Sequence, residues 1–98
     1  MIEKLERLAA AGIQLLPAVE ITTHFVFERD GFVALVERRG DQFGSVGTAG
    51  LLTQAGVAPL MTRNGHRVFV TKREETPATD EMIEKLRCFQ RDLTVAIS

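Results

Sequence analysis

The chain has 98 residues, 45% of them hydrophobic, and a formal net charge of -1, which is material for one core and one domain spanning residues 1–98. So balanced a charge gives a polyanion no field to follow, and the lone Cys88 excludes an internal disulfide framework and fits a reducing compartment. No apolar run approaches the ~20 residues of a membrane-spanning helix, and Met1 to Arg7 alternates charge where a secretion signal would be apolar, so a cytoplasmic protein without membrane contact is expected.

Ile2, Leu5, Leu8 and Ala9 recur at helical spacing, with Glu3, Lys4, Glu6 and Arg7 between them. Gly12 then offers a left-handed stop, so the spacing predicts an amphipathic first helix. Ile13 to Leu16 ends at Pro17, which cannot donate to a ladder, and reads as a connection.

From Val19 the period falls to two. Val19, Ile21, Thr23, Phe25 and Phe27 point one way, and Glu20, Thr22, His24, Val26 and Glu28 the other. Asp30-Gly31 followed by Phe32 to Val36 makes this a β-hairpin. A two-residue turn sets His24 opposite Glu37, whereas a type I turn with a bulge at Gly31 sets it opposite Val36.

The segment from Gly40 to Gly56 contains five glycines, both ends included, and reads as a connection. Within it Thr48 to Ala55 is read as a short helix stopped by Gly56. A second hairpin follows, Val57 to Thr62 against Arg67 to Thr71 around Asn64-Gly65. Pro59 places its strand at an edge or a bulge. Thr79 then caps a helix whose first turn carries Asp80 and Glu81. Met82, Leu86, Phe89, Leu93 and Ile97 form its buried stripe, with Cys88 off that stripe.

These elements give an α+β fold, a two-layer sandwich in which an antiparallel sheet of about four strands, two β-hairpins, packs against N- and C-terminal helices in the order α-β-β-(α)-β-β-α. That order is similar to the one in Roadblock-type and profilin-like domains, which are interaction modules in dimers or larger assemblies. The resemblance lacks the third strand those folds place before their last helix, and it transfers no functional residue.

Gly44-Ser45-Val46-Gly47-Thr48-Ala49-Gly50 is the segment closest to a phosphate loop. A P-loop requires a lysine and a hydroxyl residue after its last glycine, where this chain has Leu51-Leu52, and a dinucleotide fingerprint requires a βαβ setting. Gly44, Ser45 and Gly47 remain candidates for an anion or small-molecule site at a helix start. His24 beside Glu37 is the beginning of a general base, without a nucleophile or metal to complete it. His66 and Arg67 occupy the second hairpin tip.

No spacing of His, Cys, Asp and Glu suits zinc, so neither metal nor cofactor is expected. Arg63, His66, Arg67, Lys72 and Arg73 are compensated by Glu74 and Glu75 and lack interleaved aromatics, which argues against nucleic acid. If the helices cover the sheet face carrying Phe25 and Phe27, the opposite face collects Val26, some of Val33, Ala34, Leu35 and Val36, and Met61 or Phe69. Such a patch favours self-association through sheet edge or sheet face. The expectation is a non-enzymatic interaction module that homodimerises. The alternative is a small-molecule or anion-binding domain, enzymatic or not, using the Gly44 to Gly50 loop.

Overall fold

The computed structural model describes residues 2–17 and 22–98. A helix, α1 (Ile2–Ala10), leads into β1 (Gln14–Leu16), β2 (His24–Arg29), β3 (Phe32–Arg39), β4 (Gln42–Thr53), β5 (Gly56–Arg63), β6 (His66–Val70) and β7 (Glu75–Pro77), and α2 (Asp80–Ile97) closes the chain. The strands stand side by side in chain order, each antiparallel to the next, in one seven-stranded sheet.

Local chemistry sets the turns. At Asp30-Gly31 φ is 56° and 85°, and at Asn64-Gly65 it is 51° and 79°. Two successive positive φ values define the type I′ turn, whose twist matches that of the strands it joins. The first hairpin therefore takes the two-residue register, with His24 opposite Glu37. Gly12, at φ 76°, closes α1, and the Ile13 N–H returns to the Leu8 carbonyl. The Thr79 hydroxyl accepts the Met82 N–H and caps α2, as the sequence indicates.

About four strands are expected from the sequence, and the described residues form seven. The main cause is Gly40 to Gly56, which is no connection and contains no helix: residues from Gln42 to Thr53 form the longest strand of the sheet. Two register shifts against β3 give β4 an extra residue at each bulge. Its core-packed apolar residues are consequently Phe43, Val46, Ala49 and Leu51, spaced three, three and two, so the alternation that marks a strand is absent. The other added strands, β1 and β7, are three residues each, too short to show a period. Ile13 to Leu16, read as a connection, thus contains β1, paired with β2. Of the strand read from Val19, the part from His24 onward is β2, Thr22 and Thr23 are bends, and Val19 to Ile21 lie outside the described residues. With no helix between the strand pairs, the Roadblock- and profilin-like order does not hold.

Both helices pack on one face of the sheet. Phe27, Phe32, Ala34, Val36, Ala58 and Phe69 meet Leu86, Phe89, Leu93, Ala96 and Ile97 of α2, with Leu8 and Ile13 beside them. The predicted α2 stripe is buried except at Met82, which is partly buried. The α1 stripe is buried only at Leu8, while Ile2 and Leu5 are exposed. Phe43 stacks edge-on against Phe25 and Phe27, closing the core at the β3–β4 end. Arg29 joins three elements: its Nη1 donates to the Ala11 carbonyl and to Asp92 Oδ2 of α2, and its guanidinium faces the Phe89 ring. Among the described residues no helix is long and apolar enough to cross a membrane.

Candidate functional site

Strand alternation divides the candidate residues between the two faces of the sheet. His24 and Glu37 are cross-strand partners on the outer face, away from the helices. His24 Nδ1 lies 2.8 Å from Thr23 Oγ1. Glu37 Oε1 accepts a hydrogen bond from Arg39 Nε at 2.6 Å. That bond, followed by the Arg39 charge and lastly by a smaller contribution from His24, holds the Glu37 carboxyl below its usual range. The carboxylate is therefore committed to Arg39 and does not orient the imidazole. Gly44 is their neighbour, since a Cβ there would meet Glu37 Cβ and Arg39 Nε at 3.0 Å.

The sequence candidates thus divide. His24, Glu37 and Gly44 come together in a row across β2, β3 and β4, while Ser45 and Gly47 sit exposed on the bulged strand. The expected helix start at Gly47-Thr48 is replaced by strand, so the free N–H groups that would have held a phosphate there are absent. His66 and Arg67 are exposed at the β5–β6 hairpin and border a separate hollow of about 560 Å³ with Pro77, Asp80 and Ile83. No residue from Gly44 to Gly50 lines it.

Glycine has a steric role here. A Cβ on Gly50 would lie 2.3 Å from the Ala58 carbonyl oxygen, so only glycine permits β4 and β5 to approach this closely. Pro59 stands opposite Gly50, where pairing with β4 ends and pairing with β6 begins. Its strand lies inside the sheet, and the missing N–H falls at this handover instead of at an edge.

Cys88 is half-buried, with Sγ 3.5 Å from Glu84 Oε1, in a hollow lined also by Arg29, Asp30, Glu81 and Lys85 and by no histidine. Among the described residues no cluster of His, Cys, Asp or Glu is arranged to hold a metal ion, and no buried side-chain polar atom lacks a partner. The arrangement offers surfaces and charge; among the described residues no nucleophile, base and orienting group converge on one point.

Two outer-face surfaces stand out. The first is apolar. Leu35, Leu52, Val57, Pro59, Met61, Val68 and Val70 share the outward parity and are partly or largely exposed, whereas Val26 and Val33, of the same parity, are buried at 8% and 0% exposure. Of the residues expected there, Ala34, Val36 and Phe69 instead point to the helices and are buried in the core. Leu52 and Met61 are 47% and 46% exposed. The second is a hollow beside the β4–β5 turn that carries Arg63, Lys72 and Arg73. The sequence names those cations but not their meeting with Gln54 and Ala55, because the segment preceding Gly56 reads as a helix end.

What the fold and these surfaces define is a class, an antiparallel seven-strand meander roofed on one face by two helices. No protein-family model, no curated protein and no solved structure matches the chain.

Proposed function

We propose that this chain is a non-enzymatic, cytoplasmic interaction module that forms a homodimer through the outer face of its sheet. The observation that carries the reading is the apolar band from Leu35 to Met61 and Val68, in which Leu52 and Met61 stand about half exposed with no helix over them. Exposed apolar area of this kind favours a partner, and two-fold self-association is the commonest means of covering it. The molecule measures 43 by 27 by 19 Å, so its broad face is large enough to give the ~800 Å² per partner that a stable interface requires. The half-buried Cys88 thiol, with no cysteine to pair with, suits a reducing compartment.

Sedimentation equilibrium or light scattering between about 1 and 100 μM, the range of weak to moderate dimers, tests the reading. A dimer is expected for the parent chain. Leu35→Glu and Met61→Glu should each yield a monomer with unchanged far-ultraviolet circular dichroism, because a charge buried at such a contact lacks a partner. A parent chain that stays monomeric throughout that range sinks the proposal.

A further inference from the structure

On the outer face, the turn between β4 and β5 and the loop between β6 and β7 stand beside one another and flank an open hollow of about 840 Å³. This is within the range of small-molecule sites. Arg63, Lys72 and Arg73 line it together with Val57 and Val70, and no carboxylate does. Arg63 is paired with Glu75 just outside this lining, and Lys72 and Arg73 add two positive charges, so the hollow carries net positive charge.

The cations are set in place by their surroundings. Arg63 Nη1 donates to Glu75 Oε1 on β7, which draws the guanidinium over the sheet. Lys72 and Arg73 make no ion pair among the described residues. Their loop is fixed by Thr71, whose N–H donates to the Glu74 carbonyl and whose hydroxyl accepts the N–H groups of Arg73 and Glu74. A loop already shaped by its own hydrogen bonds has less order to lose when a ligand arrives.

We propose that this hollow binds a phosphate monoester with a small apolar body, the dianionic phosphate held among Lys72, Arg73 and Arg63 and the body resting on Val57 and Val70. Two guanidinium groups and an ammonium match a dianion with three terminal oxygens better than a single carboxylate. A nucleic-acid strand fits less well, since it favours aromatic platforms for its bases, and the nearby Phe69 points into the core on the other face. The proposal does not rest on self-association.

Calorimetry and amide chemical shifts on the full chain, with phenyl phosphate, inorganic phosphate and phenol as probes, test it. Phenyl phosphate is expected to bind at least about tenfold more tightly than inorganic phosphate, through the area its ring buries, and phenol not at all. Shifts should concentrate at Gln54 to Val57 and Val70 to Glu74. The double substitution Lys72→Gln with Arg73→Gln should weaken binding by about tenfold or more. Glu75→Gln, which removes the acid competing for Arg63, should strengthen it. Val57 and Val70 belong to both the apolar face and the hollow, so Leu35→Glu, two strands away, should leave the affinity of a monomeric parent unchanged and should raise that of a parent that dimerises face to face. Equal affinity for phenyl phosphate and inorganic phosphate, shifts scattered over the surface, or an unaffected double variant would each overturn the proposal. So would an oligonucleotide that binds where phenyl phosphate does not.

Discussion

Alanine at Gly44, Gly47 and Gly50 should separate three degrees of crowding along a single strand. At Gly50 the new methyl would sit 2.3 Å from the carbonyl oxygen and 2.7 Å from the carbonyl carbon of Ala58, about 1 Å inside the ~3.5 Å at which such atoms rest. Both atoms are backbone, so relief requires β4 and β5 to part near the Gly50–Pro59 and Leu51–Ala58 pairs. Overpacking costs about 1–3 kcal/mol and a lost ladder bond about 1 more, against about 0.4–1 kcal/mol regained from a stiffer unfolded chain. The net is about 1–3.5 kcal/mol, a fall in Tm of roughly 5–17 °C for a domain of this size. At Gly47 the nearest atom, the Leu35 carbonyl oxygen, is 3.4 Å away, an ordinary contact, so Gly47→Ala should fall within about 0.5 kcal/mol of the parent or slightly above it. Gly44→Ala meets Arg39 Nε, which can move, and Glu37 Cβ, which the β3 backbone holds, each at 3.0 Å, and belongs between the two. Thermal and urea unfolding followed by circular dichroism give the order. A Gly50→Ala variant as stable as the parent, or a Gly47→Ala variant as damaged as Gly50→Ala, would refute the β4–β5 approach on which this reasoning depends.

The Asp92 carboxyl is held below its usual 3.8 chiefly by the hydrogen bond from Arg29, and burial opposes that effect. A lowered acid contributes stability that is fully present above its unfolded value and is lost as pH falls through the folded one. Asp92→Asn should therefore lower Tm at pH 7, and the gap to the parent should close as the pH is taken below about 4, which a Tm series against pH will show. Leu93 is 0% exposed, and Leu93→Ala should cost about 2–5 kcal/mol in urea unfolding. Val95→Ala, at a side chain 63% exposed on the same helix, should stay within about 0.5 kcal/mol of the parent.

Elements whose signal lies in consecutive residues were legible. Asp30-Gly31 and Asn64-Gly65 announce their turns because two positive φ values in succession demand such residues. The α2 stripe and its Thr79 cap were readable because a helix with one buried face repeats without interruption over 18 residues. β4 was not, because two bulges turned its inward spacing from two to three and glycine removed the side chains that would have shown the alternation. That one misreading also placed a helix start, and thus an anion site, at Gly47-Thr48. The pairing of His24 with Glu37 was one of two registers the sequence allowed. That Arg39 would occupy Glu37 depended on side-chain packing, which no spacing reports. The meeting of Gln54 with Lys72 and Arg73 depended on β4 being a strand.

Self-association by strand pairing has little to work with in this sheet. β1 and β7 are its outer strands, each three residues long, and Pro77 removes one donor from β7. β4 has open ladder positions from Gln42 to Ala49, where β5 does not accompany it, since their pairing begins only at Gly50. The same stretch carries both bulges, which twist a strand and spoil the regular row of donors and acceptors that another strand would need. Short outer strands, a proline and bulges are the means by which sheets discourage edge pairing. The outer face has no comparable protection along Leu52, Pro59, Met61 and Val68, where charge stands at the margins, at Glu28, Glu37, Arg39, Arg63, Glu75 and the Lys72-Arg73 loop. If two copies associate as proposed, a surface guarded at its edges and left apolar on its face would bring them together face to face, and that is why the charge substitutions at Leu35 and Met61, not changes along β7, are the ones expected to separate them.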